Sequence, residues 1–203
     1  MTHAQPTWTA AEALDRLIAG NERFVAGQGQ FPTLGKETLT DLAKGQRPFA
    51  TIIGCSDSRV PPELVFDAGL GELFIVRVAG NVVSPEVMGS IQYAAVHLHT
   101  PLFVVMGHEG CGAVAAALAA LRQGARDREH IELLLDRILP GLADVDASLA
   151  DGAQLQAAVE ANVRWTLHQI RDTPEGQARM KEGILRLEGA VYELTTGRVR
   201  FLP

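Results

Sequence analysis

Reactive side chains follow two apolar segments of the sequence. The segment FATIIG runs into Cys55, Asp57 and Arg59, and the segment PLFVVMG runs into His108 and Cys111. Two thiolates and one imidazole form a ligand set that zinc prefers when a fourth tetrahedral position stays open. A closed structural site would need a fourth protein ligand, and the chain has only 2 cysteines. The residue types and their spacing therefore predict an open site for one Zn²⁺ per chain.

Two plainer interpretations compete with a metal site. Buried cysteines are often inert core residues, and Asp57 and Arg59 would then form a surface ion pair worth about 0–1 kcal/mol. The positions of these side chains argue against both interpretations. The group at 55–59 and the group at 108–111 each come directly after a predicted buried strand. Unrelated core cysteines have no reason to fall beside polar residues at both places.

The elements that must position these residues alternate along the chain. Three apolar runs have strand length and are expected to be buried on both faces: 49–55, 72–78 and 101–107. Helical patterns cover 10–27, 36–44, a segment that Ser84 caps and Pro85 begins, a segment that ends at Gly124, and 129–184; 189–202 is a closing strand pair or an extended tail. This order predicts an α/β fold with a mainly parallel central sheet flanked by helices, an N-terminal helical arm and a C-terminal helical segment. Ligands in such sheets bind outside the carboxyl ends of the strands.

The length of 203 residues suits a single domain, which would bury about 70% of its unfolded surface. We expect one domain over 1–203, with an N-terminal helical arm at 1–45, a zinc-site core at 46–125, and a helical region with a closing strand at 126–203.

Composition excludes several classes of partner. The net charge of -6 argues against a nucleic acid held by phosphate contacts. No apolar run approaches the roughly 18 residues that span a bilayer, so no membrane partner is expected. The N-terminus lacks the basic flank and apolar block of a secretory signal, and 2 cysteines are too few for a disulfide framework. The expected compartment is the cytoplasm.

The motifs CSDSR and HEGC together resemble those of the beta class of carbonic anhydrases. The resemblance continues through VPPELVFDAGLGELFIVRVAGN (60–81), SIQYAAVHL (90–98) and KGQRPF (44–49). It covers about 10–120 well and the C-terminal part loosely. It implies a zinc-dependent lyase that reversibly hydrates carbon dioxide to bicarbonate and a proton.

The resemblance also implies roles for the reactive residues. Cys55, His108 and Cys111 match the zinc ligands, which leaves one position for water. Asp57 matches the carboxylate that accepts a hydrogen bond from the hydroxide, and it is an alternative fourth ligand. Arg59 matches its partner, because a guanidinium can fix a carboxylate through two bonds and lower its pKa.

Four further residues are expected to line the substrate pocket, of which two match the plant-like branch of the family. Phe74 and Tyr93 match an apolar wall, although residues of these types are more often core residues. Gln46 matches a glutamine that reaches in from a neighbouring subunit, and the Gly112 N–H can meet developing negative charge at a helix start. A homodimer or homotetramer is therefore expected, in which the apolar face of the helix at 10–27 packs on another chain.

One departure from a second branch of the family concerns regulation. That branch binds bicarbonate as an effector beside a tryptophan, and here Ile52 occupies the tryptophan position although Arg77 keeps the arginine position. We therefore do not expect this effector mechanism, whereas movement of Asp57 onto the metal stays open. Two alternatives to carbon dioxide hydration also stay open: a carbon disulfide or carbonyl sulfide hydrolase on the same fold, and a non-catalytic zinc-binding or thiol sensor.

Overall fold

The computed structural model describes residues 8–30, 36–125 and 127–203. Its centre is a single five-stranded sheet. The strands are β1 (Ala50–Gly54), β2 (Leu73–Arg77), β3 (Leu102–His108), β4 (Arg186–Tyr192) and β5 (Val199–Phe201). Their order is β2-β1-β3-β4-β5, and every neighbouring pair is parallel except β4 and β5. The three strands predicted from apolar runs are confirmed, each within one residue at both ends.

Helices cover both faces of this sheet, as the alternating pattern predicts. They are α1 (Ala10–Val25), α2 (Lys36–Leu42), α3 (Pro62–Val65), α4 (Pro85–Tyr93), α5 (Gly112–Gln123), α6 (Glu129–Ile138), α7 (Asp151–Arg171) and α8 (Pro174–Lys181). Ser84 caps α4 by accepting a hydrogen bond from the Val87 N–H, and Gly124 ends α5 in the left-handed conformation, both as predicted. The predicted helical stretch at 129–184 is divided into three helices. No described helix has the length and apolar character that a membrane span requires.

Burial along the strands differs from the expectation in one case. All residues of β1 and β3 are buried. In β2 only Leu73 is fully buried, because β2 is an edge strand with one sheet neighbour. The prediction of a strand buried on both faces is therefore wrong for β2.

Helix α1 packs on the sheet of its own chain. Its buried positions include Ala13 and Leu17, both 0% exposed, while Ile18 on the other side is 38% exposed. Gly20 permits the close approach, since a Cβ there would lie 2.0 Å from the Phe66 carbonyl oxygen. The chain itself covers Leu17 but leaves Ile18 exposed, so packing of this face on another chain stays a prediction.

The strand order creates a crevice at one edge of the sheet. The chain leaves β1 toward β2 on one side, whereas it leaves β3 toward β4 on the other side. Loops that diverge in this way open a crevice at the carboxyl ends of the two central strands. The segments that follow β1 and β3 are the two that carry the reactive side chains.

Candidate metal centre

The structure brings three predicted ligands together in this crevice. Cys55 directly follows β1, His108 is the last residue of β3, and Cys111 is the N-cap of α5. One potential ligand atom from each of them lies within 4.8 Å of the other two. All three residues are buried, and both thiols are free.

Hydrogen bonding fixes which nitrogen of His108 faces the two thiols. Nδ1 lies 2.9 Å from the Glu109 carbonyl oxygen, which can only accept, so Nδ1 carries the proton. Nε2 then holds a lone pair, and within the described chain this buried atom has no hydrogen-bond partner. An unpartnered nitrogen beside two sulfurs fits a bound zinc ion, and the Nδ1–H bond to a carbonyl orients the ring as in other metal-binding histidines.

The two thiols shift each other's pKa in opposite directions. The hydrogen bond from Cys111 lowers the pKa of Cys55 to about 4 against the opposing effect of burial, with His108 and the Gly80 N–H assisting. The same hydrogen bond and burial raise the pKa of Cys111 far above its usual range. Burial lowers the pKa of His108, but the Cys55 thiolate raises it more, so it ends above its ordinary value. Metal ligands must be deprotonated, so a cation that binds here displaces the proton of the Cys111 thiol.

Asp57 stands beside the three ligands as an ionised carboxylate. Arg59 donates from Nε to Oδ1 at 2.9 Å and from Nη2 to Oδ2 at 2.7 Å, and its backbone N–H donates to Oδ1 at 2.9 Å. These bonds hold the pKa of Asp57 well below its usual range. Oδ2 lies 3.8 Å from Nε2 of His108, so the carboxylate faces the site. Only 18% of the Asp57 side chain is exposed, compared with 55% for Arg59.

Arg77 holds the backbone that carries Cys55 and Asp57. Its Nε donates to the Cys55 carbonyl at 2.8 Å and its Nη2 donates to the Asp57 carbonyl at 2.5 Å. Sequence reasoning noted Arg77 only as part of an effector site and missed this role. The signal appears once β1 and β2 are paired, because their register places Arg77 opposite Gly54, directly before Cys55.

The predicted substrate residues do not gather around these ligands within one chain. Gln46 is exposed and precedes β1, so a strand of five residues, roughly 16 Å, separates it from Cys55. The rings of Phe74 and Tyr93 lie 6.2 Å apart, and Tyr93 is 48% exposed. Among the described residues, no hydrogen bond or ring contact links these three to the ligands. Gly112, by contrast, follows Cys111 directly and begins α5.

Comparison with known proteins places this geometry in a family. The family model described as "Carbonic anhydrase" matches residues 50–199. The carbonic anhydrase of Mycolicibacterium smegmatis is 40% identical over 195 residues, which cover 96% of this chain and 94% of that protein. Carbonic anhydrase 2 of Mycobacterium tuberculosis is 38% identical over 195 residues, covering 95% of this chain and 93% of the relative.

A solved structure agrees with these relatives. The β-carbonic anhydrase CafA of Aspergillus fumigatus superposes with a TM-score of 0.75 at 29% identity, covering 93% of this chain and 90% of that chain. The family match covers strands β1 to β4, the CSDSR and HEGC motifs and the Cys-His-Cys cluster. The chain therefore belongs to the beta class of carbonic anhydrases, zinc-dependent lyases that hydrate carbon dioxide reversibly to bicarbonate.

Proposed function

We propose that Cys55, His108 and Cys111 hold the zinc ion, and that Asp57 and Arg59 direct the hydration of carbon dioxide beside it. The observation that carries this proposal is the buried cluster of two thiols and the unpartnered Nε2, with a paired carboxylate oxygen 3.8 Å from that nitrogen. When bound, zinc supplies the Lewis acidity that makes water a nucleophile near neutral pH.

Asp57 acts as a fixed hydrogen-bond acceptor in this proposal. Since Arg59 keeps the carboxylate ionised and engages both oxygens, Asp57 accepts a hydrogen bond from the attacking water and cannot donate one. The attacking lone pair is thereby turned toward the substrate, which is the contribution that orientation makes to catalysis. Arg77 serves the same end, because it fixes the carbonyls on either side of Ser56.

Gly112 is the proposed donor to charge that develops on the substrate. It is the first residue of α5, and the first N–H groups of a helix have no partner within the helix. They also lie at the positive end of the helix dipole. Because the ligand Cys111 precedes it, the Gly112 N–H is close to the place where carbon dioxide becomes bicarbonate, which favours the charged product.

The remaining pocket residues support self-association of the chain. We assign Gln46, Phe74 and Tyr93 to the pocket of a neighbouring subunit. Gln46 lies a strand's length from Cys55, and Phe74, which contacts the Tyr93 ring, pairs with Thr51, four residues before Cys55. The exposed ring of Tyr93 beside the edge strand β2 is apolar surface that a second copy would cover. The active unit in this proposal is a homodimer or homotetramer.

A charge placed on this surface tests the assembly. In Tyr93→Glu, a carboxylate would have to be buried against the second copy, so we expect a lower molecular mass in sedimentation and a lower hydration rate per chain. Leu133→Glu is the control, because Leu133 is 59% exposed on α6 and should change neither quantity. A wild-type protein that is a fully active monomer at the assay concentration would contradict the proposal.

The proposed compartment is the cytoplasm. Both cysteines of the chain are free and both belong to the proposed zinc site. Reducing conditions keep such thiols available for a metal ion.

A panel of substrates distinguishes carbon dioxide hydration from the hydrolysis of carbonyl sulfide or carbon disulfide. Zinc-loaded protein is assayed side by side with carbon dioxide, carbonyl sulfide and carbon disulfide. We expect rapid hydration of carbon dioxide and at most slow turnover of the sulfur compounds. Faster turnover of a sulfur compound would reassign the substrate, and a zinc-loaded protein inactive on all three would favour the sensor alternative.

A further inference from the structure

Three polar side chains are buried between helix α7 and the short turn Ala79–Asn81. Asn81 is 2% exposed, Asn162 1% and Thr166 0%. Asn162 Nδ2 donates to the Gly80 carbonyl at 2.8 Å, and Thr166 Oγ1 donates to the Asn81 carbonyl at 3.2 Å. Asn162 and Thr166 are four residues apart, on the same face of α7. Two successive carbonyls of the turn are therefore tied to one helix.

The backbone of this turn is one that needs support. Gly80 has a φ of +66° and Asn81 a φ of +45°, so two successive residues are left-handed. A Cβ on Gly80 would crowd Ile138 Cδ1 at 2.8 Å and Ala113 Cβ at 3.1 Å, so glycine suits this position mainly for its φ and also for space. Asparagine tolerates the left-handed region better than most residues. Glycine and asparagine permit this conformation without favouring it over others, and the hydrogen bonds from α7 fix it.

The Ala79–Asn81 turn also contacts Cys55, a proposed zinc ligand. The Gly80 N–H donates to Cys55 Sγ at 3.3 Å. The two backbone polar groups of Gly80 thus join helix α7 to the sulfur. Hydrogen bonds to a thiolate change its electron donation and so tune the metal that it binds. Packing alone does not require these polar side chains, because burying them costs desolvation that apolar residues would avoid.

We propose that Asn162 and Thr166 are positioning residues for the metal centre, which hold the Ala79–Asn81 turn so that the Gly80 N–H points at Cys55 Sγ. Within the described part of the chain no hydrogen bond joins them to a ligand, and they act through the turn. The inference rests on the proposed zinc site. Helix α7 orients the turn, the turn orients the Gly80 N–H, and this N–H sets the donor strength of the Cys55 sulfur.

Zinc affinity and the spectrum of the cobalt-substituted protein test this role. In Asn162→Ala, zinc affinity measured by competition with a chelator should fall about 10- to 100-fold, the effect typical of residues that orient metal ligands. With Co²⁺ in the site, the thiolate-to-metal charge-transfer band should move to longer wavelength, because a sulfur without its N–H bond holds its lone pairs less tightly. Thr166→Val should act in the same direction, while Thr166→Ser, which keeps the hydroxyl, should stay near wild type.

Gln154 is the matched control on the same helix. It is 1% exposed and donates from Nε2 to the Asp146 carbonyl at 3.1 Å, away from the turn. Gln154→Ala should lower the melting temperature and leave both zinc affinity and the cobalt band unchanged. An equal loss of affinity in Gln154→Ala would overturn the proposal, because general destabilisation would then explain the result.

Further outcomes separate this inference from the zinc site itself. A folded Asn162→Ala protein with wild-type affinity and an unchanged band overturns the positioning role alone. If Asn162→Ala does not fold, the valine and serine variants of Thr166 decide, and equal affinities in the two overturn the proposal. A wild-type protein that binds no zinc overturns the metal site together with this inference.

Discussion

Replacing Cys55 with serine should remove most of the zinc and, with it, nearly all carbon dioxide hydration. A serine hydroxyl is almost isosteric with the thiol, but it stays protonated near neutral pH and is a poor ligand for zinc. The buried site would then offer one thiolate and one imidazole, too few to hold the ion. We expect metal analysis to fall from one zinc per chain to a small fraction, and Cys111→Ser to behave in the same way.

Ser56→Ala is the control for this change. Ser56 is exposed within the same CSDSR motif, so its loss should leave zinc content and hydration near wild type. Circular dichroism should establish that the Cys55→Ser chain remains folded, since the change preserves the shape of the core. Full zinc occupancy in Cys55→Ser would refute the assignment of this ligand.

Asp57→Asn should separate catalysis from metal binding. The amide keeps the shape of the side chain, but its nitrogen donates where the carboxylate oxygen accepted, and the pairing with Arg59 is lost. Zinc should remain bound, whereas the hydration rate should fall by roughly 10² to 10⁴, the range typical of removing a positioned proton-handling group. Because Arg59 holds the pKa of Asp57 well below its usual range, the deficit should persist throughout an assay from about pH 6.5 to 9.

Stopped-flow hydration alongside zinc analysis measures this effect. Asp146→Asn serves as the control, since Asp146 is a carboxylate that accepts hydrogen bonds from Ser148 on the exposed surface. Wild-type rates in Asp57→Asn would mean that the carboxylate is structural, and the assignment of its catalytic role would be withdrawn.

Local sequence signals predicted the elements and the ligand positions well. The apolar runs predicted as strands correspond to β1 and β3, which are buried at the centre of the sheet. They could be predicted because residues that end a strand bound each run. Ser84, Pro85 and Gly124 marked helix ends because capping depends on residues within one turn. Parallel strands end at the same edge, which was enough to bring Cys55, His108 and Cys111 together.

Long-range contacts could not be predicted from the same signals. Periodicity reports that a residue is buried but not which element covers it, so β2 was expected in the interior although it is an edge strand. The parallel pairing of β4 with β3 joins segments about 80 residues apart, as the register of Leu102 with Arg186 shows. The contacts of Arg77 depend on the pairing of β1 with β2, and those of Asn162 and Thr166 join α7 to a turn about 80 residues earlier. For that reason these residues carried no local signature.

X-ray absorption at the zinc edge of the wild-type protein, combined with its hydration rate, tests the central claim most directly. The site predicts one zinc per chain with two sulfur ligands at ~2.3 Å and nitrogen or oxygen ligands at ~2.0 to 2.2 Å. Such a protein should hydrate carbon dioxide, and a chelator should abolish the activity until zinc is restored. A sulfur count other than two, or full hydration by metal-free protein, would contradict the account.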